Sequence, residues 1–219
     1  MGGTLVGYAA RAGPAGLSNC RLPHYAARMT ANHARLLVLL AAILAAAALR
    51  LVPHPPNFTP IGAMALFSGA YLGRGGLALA APLAALLLSD LVLGFYPELV
   101  FVYLGAALTV LIGWALARRR SAWKIAGAAL ASSLLFFIVT NFGVWLVNDY
   151  YPHTIAGLAA CYVAAIPFFQ NSLAGDLFYT ALLFGGFALL QRGVPALRDG
   201  RGAQPALTRA SVATSARSR

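Results

Sequence analysis

The chain has 219 residues, of which 60% are hydrophobic and only 10% charged, and its formal charge is +11. An ordinary soluble domain carries about 25% charged residues, so this balance excludes a water-soluble fold and places the chain in a bilayer. The basic excess does not mark a nucleic-acid partner: most of the cations sit in the first thirty-five residues, in Arg118 to Lys124 and after Gln191, flanking apolar runs, with no RNA or DNA motif.

Residues 1–34 are basic, free of Asp and Glu, and interrupted by Gly13, Pro14, Gly16 and Pro23, so they are expected to form a disordered N-terminal extension. Their composition suits an organelle presequence, but a start at Met29, followed by TANHARLLVLL, is the simpler account. A membrane domain is expected over 35–191, followed by a disordered basic tail over 192–219. The first apolar run, Leu36 to Val52, is long enough for a crossing at about 1.5 Å per residue. An elbow follows, stiffened by Pro53, Pro55, Pro56 and Pro60, which cannot continue a helix and which carries His54, Asn57 and Thr59. Run two, Thr59 to Gly73, is short for a crossing. Runs three to five are Leu77 to Phe95, Leu99 to Ala117 and Ala122 to Val147. Gly157 to Phe169 is too short to span and is expected to be interfacial or re-entrant, with run six from near Pro167 to Leu190.

Charge patterning selects the topology. Six crossings with the N-terminus inside put Arg74, the Arg118 to Lys124 cluster and the tail in the cytoplasm, and His54, Glu98, Asp149 and His153 outside. If run two failed to cross, the Arg118 cluster would lie outside, against the positive-inside bias. The expected fold is therefore an all-α bundle of six transmembrane helices with both termini cytoplasmic, in a bacterial inner membrane. Cys20 and Cys161 fall on opposite sides in this topology, which argues against a disulfide between them.

Arg50, Asp90 and Asp176 are the charged side chains within or at the outer ends of apolar runs. A mid-helix aspartate costs about 2.5 to 3.5 kcal/mol on insertion scales, so it should face the bundle interior with a partner. All three fall at a similar, outward depth. This fits either an Asp to Arg clamp that fixes packing or a pocket that opens outward. Ser172, Asp176 and Tyr179 share a face of run six, and Asn141, Trp145 and Asn148 have the same spacing on run five, continued inward by Phe137 and Ser133. Tyr150, Tyr151, Tyr162, Phe168 and Phe169 read as an interfacial aromatic belt, some of it able to lid a pocket. His153 with Cys161 makes a weak metal pair, and no cofactor is expected. Gly175 before Asp176 is similar to the end of the Gly-x-Gly-Asp motif of intramembrane aspartyl proteases, but Leu173 stands where the first glycine belongs. GRGG at 73–76 lacks the lysine of a nucleotide-binding loop, so any transport is not driven by ATP hydrolysis in this chain.

PHPPNFTPIGAMALFSGAYLG, PLAALLLSDLVLGF, TNFGVWLVNDYYP and FFQNSLAGDLFYT, spanning about Arg35 to Leu190, resemble a domain-of-unknown-function family of small bacterial membrane proteins. That family in turn resembles the substrate-binding S components of energy-coupling factor transporters, through six helices with termini inside, the Asn and Pro elbow before a short second helix, and Ser89-Asp90 near the outer part of helix three. The resemblance implies capture of a vitamin-like molecule from outside. It also implies a partner membrane subunit with two ATPases, docking on Ala-x-x-x-Ala positions such as Ala41 and Ala45, or Ala42 and Ala46. No vitamin signature is present, and Gly157 to Phe169 is longer and more apolar than the resemblance predicts.

These readings converge on a multi-pass, non-enzymatic membrane protein that binds a small vitamin- or nucleobase-like solute. Arg50, His54, Asn57, Asp90, Asn141, Trp145, Asn171 and Asp176 are its expected lining. Two aspartates against one arginine lean toward a cationic or amide-bearing ligand. The alternatives are an intramembrane aspartyl hydrolase using Asp90 and Asp176, and a structural membrane subunit.

Overall fold

The structure, a computed structural model, describes residues 22–198. The described residues form six helices and no strand: α1 (Leu22–Ala48), α2 (Ile61–Leu72), α3 (Gly76–Leu93), α4 (Leu99–Leu116), α5 (Ala122–Val147) and α6 (Ile155–Gly193). All but α2 are long and apolar enough to cross a membrane. Residues 1–21 with Cys20, and the tail from 199, lie outside the described residues.

The helices run alternately between two ends. One end, here the elbow end, holds the loops that carry His54, Glu98, Asp149 and His153, and Asn148 Nδ2 donates to Glu98 Oε2 across two of those loops at 3.3 Å. The other, the Arg118 end, holds Arg74, Arg118, Arg119, Arg120, Lys124, Arg192 and Arg198. The loop charges of each sign thus keep to one end, and α1 also starts from the cationic Arg118 end.

The organising element is α2. Its twelve residues reach only about 18 Å at 1.5 Å per residue, against a hydrocarbon core of about 30 Å. Every residue from Ile61 to Ala70 is buried, and α1, α3, α4, α5 and α6 all pack on it. A helix wrapped by protein on all sides need not match the bilayer thickness. Its composition permits this, because Gly62, Ala63, Ala65, Gly69 and Ala70 let neighbouring backbones come close. The closest approach is with α4: a Cβ on Gly113 would stand 2.9 Å from Gly69 Cα and would strike Leu66 O. Toward the Arg118 end, Phe67 meets Phe184 and Phe187 edge-on at 5.3 and 5.8 Å between ring centroids, and the Arg120 guanidinium lies 4.3 Å from the Tyr71 ring centre.

Three expectations change. First, Gly157 to Phe169 is not a separate re-entrant piece. Ile155–Gly193 is one helix of 39 residues, roughly 58 Å long, with Pro167 inside it and a π turn at Ala181–Gly185. Thr154 starts it by accepting from Gly157 N–H at 3.1 Å, and a proline within a membrane helix is tolerated where neighbours re-satisfy the freed carbonyl. Second, α1 begins at Leu22, so 22–34 is helical and the expected boundary at 34/35 falls inside a helix. Third, the chain does not leave the bundle at residue 192. Gln191 Nε2 donates to Leu197 O at 3.0 Å, Arg198 Nε donates back to Gln191 O at 2.9 Å, and Leu197 is buried next to α1.

Candidate functional site

A cavity of about 360 Å³ lies toward the elbow end, bounded by the elbow, the start of α2, and facing stretches of α5 and α6. The α5 wall consists of Ser133, Phe136, Phe137, Thr140, Asn141 and Val144, one face of a helix at 3.6-residue spacing. The α6 wall consists of Ala165, Phe168, Phe169, Ser172 and Asp176. Phe137 packs against two rings about two turns apart on α6, 5.7 Å from Tyr162 and 4.8 Å from Phe169. Arg50, Asn57, Thr59, Ile61, Gly62, Tyr96 and Val102 complete the lining.

The two buried acids hold different positions. Asp90 is fully buried on α3: its Oδ1 is 2.8 Å from Arg50 Nη2, and its Oδ2 accepts from Tyr103 OH at 2.9 Å. Arg50 Nη1 also donates to Ser89 Oγ. The 3-10 turn Leu49–Leu51 that ends α1 brings Arg50 inward, so the pair ties α1, α3 and α4 together. Asp176 is the capping group of α2. Pro60, at the α2 N-cap, offers no side-chain oxygen, and the Asp176 carboxylate accepts instead from the N–H groups of Gly62 and Ala63. Ser133 Oγ donates to Asp176 Oδ2 at 2.6 Å. A Cβ on Gly62 would run into that carboxylate, so glycine is required there for the cap to seat. The positive end of the α2 dipole reinforces the arrangement.

Of the eight expected lining residues, Arg50, Asn57, Asn141 and Asp176 line the cavity. Asn57 holds the elbow's turn with φ of 62°, a left-handed conformation that Asn tolerates better than most side chains. Asp90 sits behind Arg50 and does not line the cavity. His54 Nδ1 lies 2.9 Å from Pro55 O in the elbow. Trp145 Nε1 donates to Pro152 O at 3.0 Å and its ring meets His153 edge-on, pinning the α5–α6 connection. Asn171 Nδ2 donates to Pro56 O at 3.1 Å, holding the elbow against α6. Trp145 and Asn171 thus brace the cavity's surroundings, while the contact of His54 stays within the elbow. Because Asp90 and Asp176 do not face a common space, the two-carboxylate hydrolase gains no support from the geometry.

Tyr96, Phe136 and Thr140 line the cavity without having been singled out in the sequence. Thr140 and Phe136 could have been found by following the face of Ser133 at 3.6 residues per turn. Tyr96 follows no helical pattern, since it comes from the α3–α4 loop. Burial, with Asp90 next in effect and Glu98 adding to it, pushes the Tyr96 phenol above its ordinary pKa, while Arg50 opposes the shift. Among the described residues no three His, Cys, Asp or Glu side chains gather as metal ligands. Cys161 donates to Asn141 O and His153 meets the Trp145 ring edge-on, each engaged separately.

Residues 30–197 match a family of unknown function, DUF6580, and the chain belongs to that family. No curated protein and no solved structure matches the chain.

Proposed function

We propose that this member of a family of unknown function is a membrane-embedded solute-binding protein, which takes a small polar molecule into the cavity between the elbow, α5 and α6. One observation carries the reading. A cavity of about 360 Å³ falls in the size range of small-molecule sites, and its aromatic walls carry a few convergent polar groups, as such sites do. The positive-inside bias puts the Arg118 end and both termini in the cytoplasm, so the cavity lies toward the outer face, in a bacterial inner membrane. Uptake through a partner membrane subunit and ATPases is the S-component reading. It rests on the sequence resemblance alone, and the chain carries no nucleotide-binding loop of its own.

A second reading, a structural membrane subunit, is favoured by the roles of the two acids: Asp90 clamps three helices and Asp176 caps one. Native mass spectrometry of the detergent-purified protein separates the two. A solute binder shows a small co-purified mass that Asn141→Leu removes while the protein stays folded. A bare protein mass, together with no melting shift from any member of a solute library, supports the structural subunit and overturns the proposal.

A further inference from the structure

Resting on the solute-binding reading, we propose that the cavity selects a small organic cation carrying N–H donors and rejects organic anions. The sequence count of two acids and one base leaves one negative charge, and the structure shows which acid carries it at the cavity. Arg50 is engaged by Asp90 at 2.8 Å and by Ser89, and Asp90 lies behind it, outside the lining. That pair is neutral as a unit. The remaining charge on the lining is Asp176. The α2 N-terminus that it caps offsets it in part, since a helix terminus is worth about half an elementary charge. The balance is negative.

Hydrogen-bond direction points the same way. On the α5 and α6 walls three polar side chains donate back onto their own helices, Thr140 Oγ1 to Phe136 O at 2.8 Å, Asn141 Nδ2 to Phe137 O at 2.8 Å and Ser172 Oγ to Phe168 O at 3.3 Å, while Ser133 Oγ donates to Asp176. A hydroxyl has one hydrogen to donate and two lone pairs, so Thr140 and Ser172 have only acceptor capacity left, while Asn141 keeps its carbonyl oxygen beside one unused N–H. A solute that brings N–H groups satisfies these acceptors. A carboxylate or phosphate on this side finds like charge and a row of lone pairs. The rings of Phe137 and Phe168 on the same walls attract a delocalised cation and repel an anion, because an aromatic face is electronegative.

The test is a matched one-ring series of benzamidinium, benzamide and benzoate, which share size and shape and differ in charge and donors. Each is titrated against the detergent-purified full chain while its melting temperature is followed. Benzamidinium is expected to raise the melting temperature in a concentration-dependent way, benzamide less, and benzoate not at all. Asp176→Asn keeps an oxygen to cap α2 and removes the charge. It should weaken benzamidinium at least tenfold and bring it level with benzamide. Should that variant fail to fold, Asn141→Leu removes one acceptor oxygen and should weaken benzamidinium several-fold. Benzoate binding as tightly as benzamidinium overturns the inference and leaves solute binding standing, as does a benzamidinium preference that survives the variants. If none of the three binds, the charge of the co-purified solute decides: a cation upholds the inference, and a neutral or anionic solute overturns it. No solute by either method removes the solute-binding reading as well.

Discussion

The two halves of α2 sit in different surroundings. Its Arg118 half is closely packed: Gly69 crosses Gly113 at near backbone contact, and Phe67 and Tyr71 pack against Phe184 and Phe187. Its elbow half starts against a cavity, and a carboxylate from α6 occupies the position where another helix would place its own capping side chain. Both halves solve the same problem, that of holding a short helix in a membrane where water cannot satisfy its ends. Close packing leaves no room for a ligand. A cap supplied by a distant helix fastens the helix start and leaves a space beside it.

If that contrast is right, the largest loss comes from the packed half. Gly113→Leu places a side chain where even a Cβ would stand 2.9 Å from Gly69 Cα and strike a backbone oxygen. Backbone cannot yield as a flexible side chain can, so the cost should exceed about 3 kcal/mol and prevent a folded preparation. Size-exclusion chromatography in detergent checks it: a monodisperse Gly113→Leu protein would show that the α2–α4 crossing is not tight.

How much of this contrast was legible in the sequence depends on which half is read. The segregation of Glu98 and Asp149 from the Arg118 cluster was readable, because charged loops must lie outside the hydrocarbon. The centrality of α2 was not, because in a membrane chain apolarity on every face does not distinguish a buried helix from a lipid-exposed one; its run of Gly and Ala was the available signal. The fusion of the re-entrant piece with run six was hidden because an apolar run was divided by bilayer thickness, whereas helix length in the protein follows neighbours as well. On α5, stepping from Ser133 through Phe137 and Asn141 to Trp145 uses a period of four. Each such step overshoots a turn by about 40°, so Trp145 ends about 120° from Ser133. That drift explains why Trp145 braces a loop while Thr140, passed over, lines the cavity. Asp90 and Asp176 look alike in sequence and are separated only by which partner the fold brings to each.

The next effect concerns the clamp. Arg50→Met leaves the fully buried Asp90 carboxylate without its counter-ion, and breaking a buried pair on one side costs about 3 to 5 kcal/mol. The double change Arg50→Met with Asp90→Leu should recover most of that loss, since an apolar replacement of both partners is often neutral. Denaturation midpoints of the three proteins measure it. A double variant as unstable as the single one would mean that the clamp contributes more than mutual neutralisation.

A smaller effect distinguishes the cap from the charge. Asp176→Ala removes the acceptor for Gly62 and Ala63 N–H and should cost about 1 kcal/mol, whereas Asp176→Asn, which retains an oxygen, should cost only a few tenths. Equal losses in thermal melts would place the stabilisation in the charge and not in the cap. A loss confined to the alanine variant would separate stability from solute binding, which the asparagine variant should still impair.

The gentlest perturbation reads the polar half by its proton alone. Tyr96 has its phenol pKa raised above 10.0, first by burial, then by the Asp90 and Glu98 charges, against the opposing Arg50. The folded chain therefore holds this proton more tightly than the unfolded chain, which ionises near pH 10. Its contribution to stability is fully present below that pH and is lost as pH rises through the folded value. Melting curves of wild type and Tyr96→Phe should run parallel from pH 7 to about pH 9. Above about pH 10 the wild type should fall more steeply, because the variant has no phenol to ionise. Parallel curves across the whole range would mean that Tyr96 is as open to water in the folded chain as in the unfolded one. The elbow half would then lack the enclosure at its rim that a solute site needs.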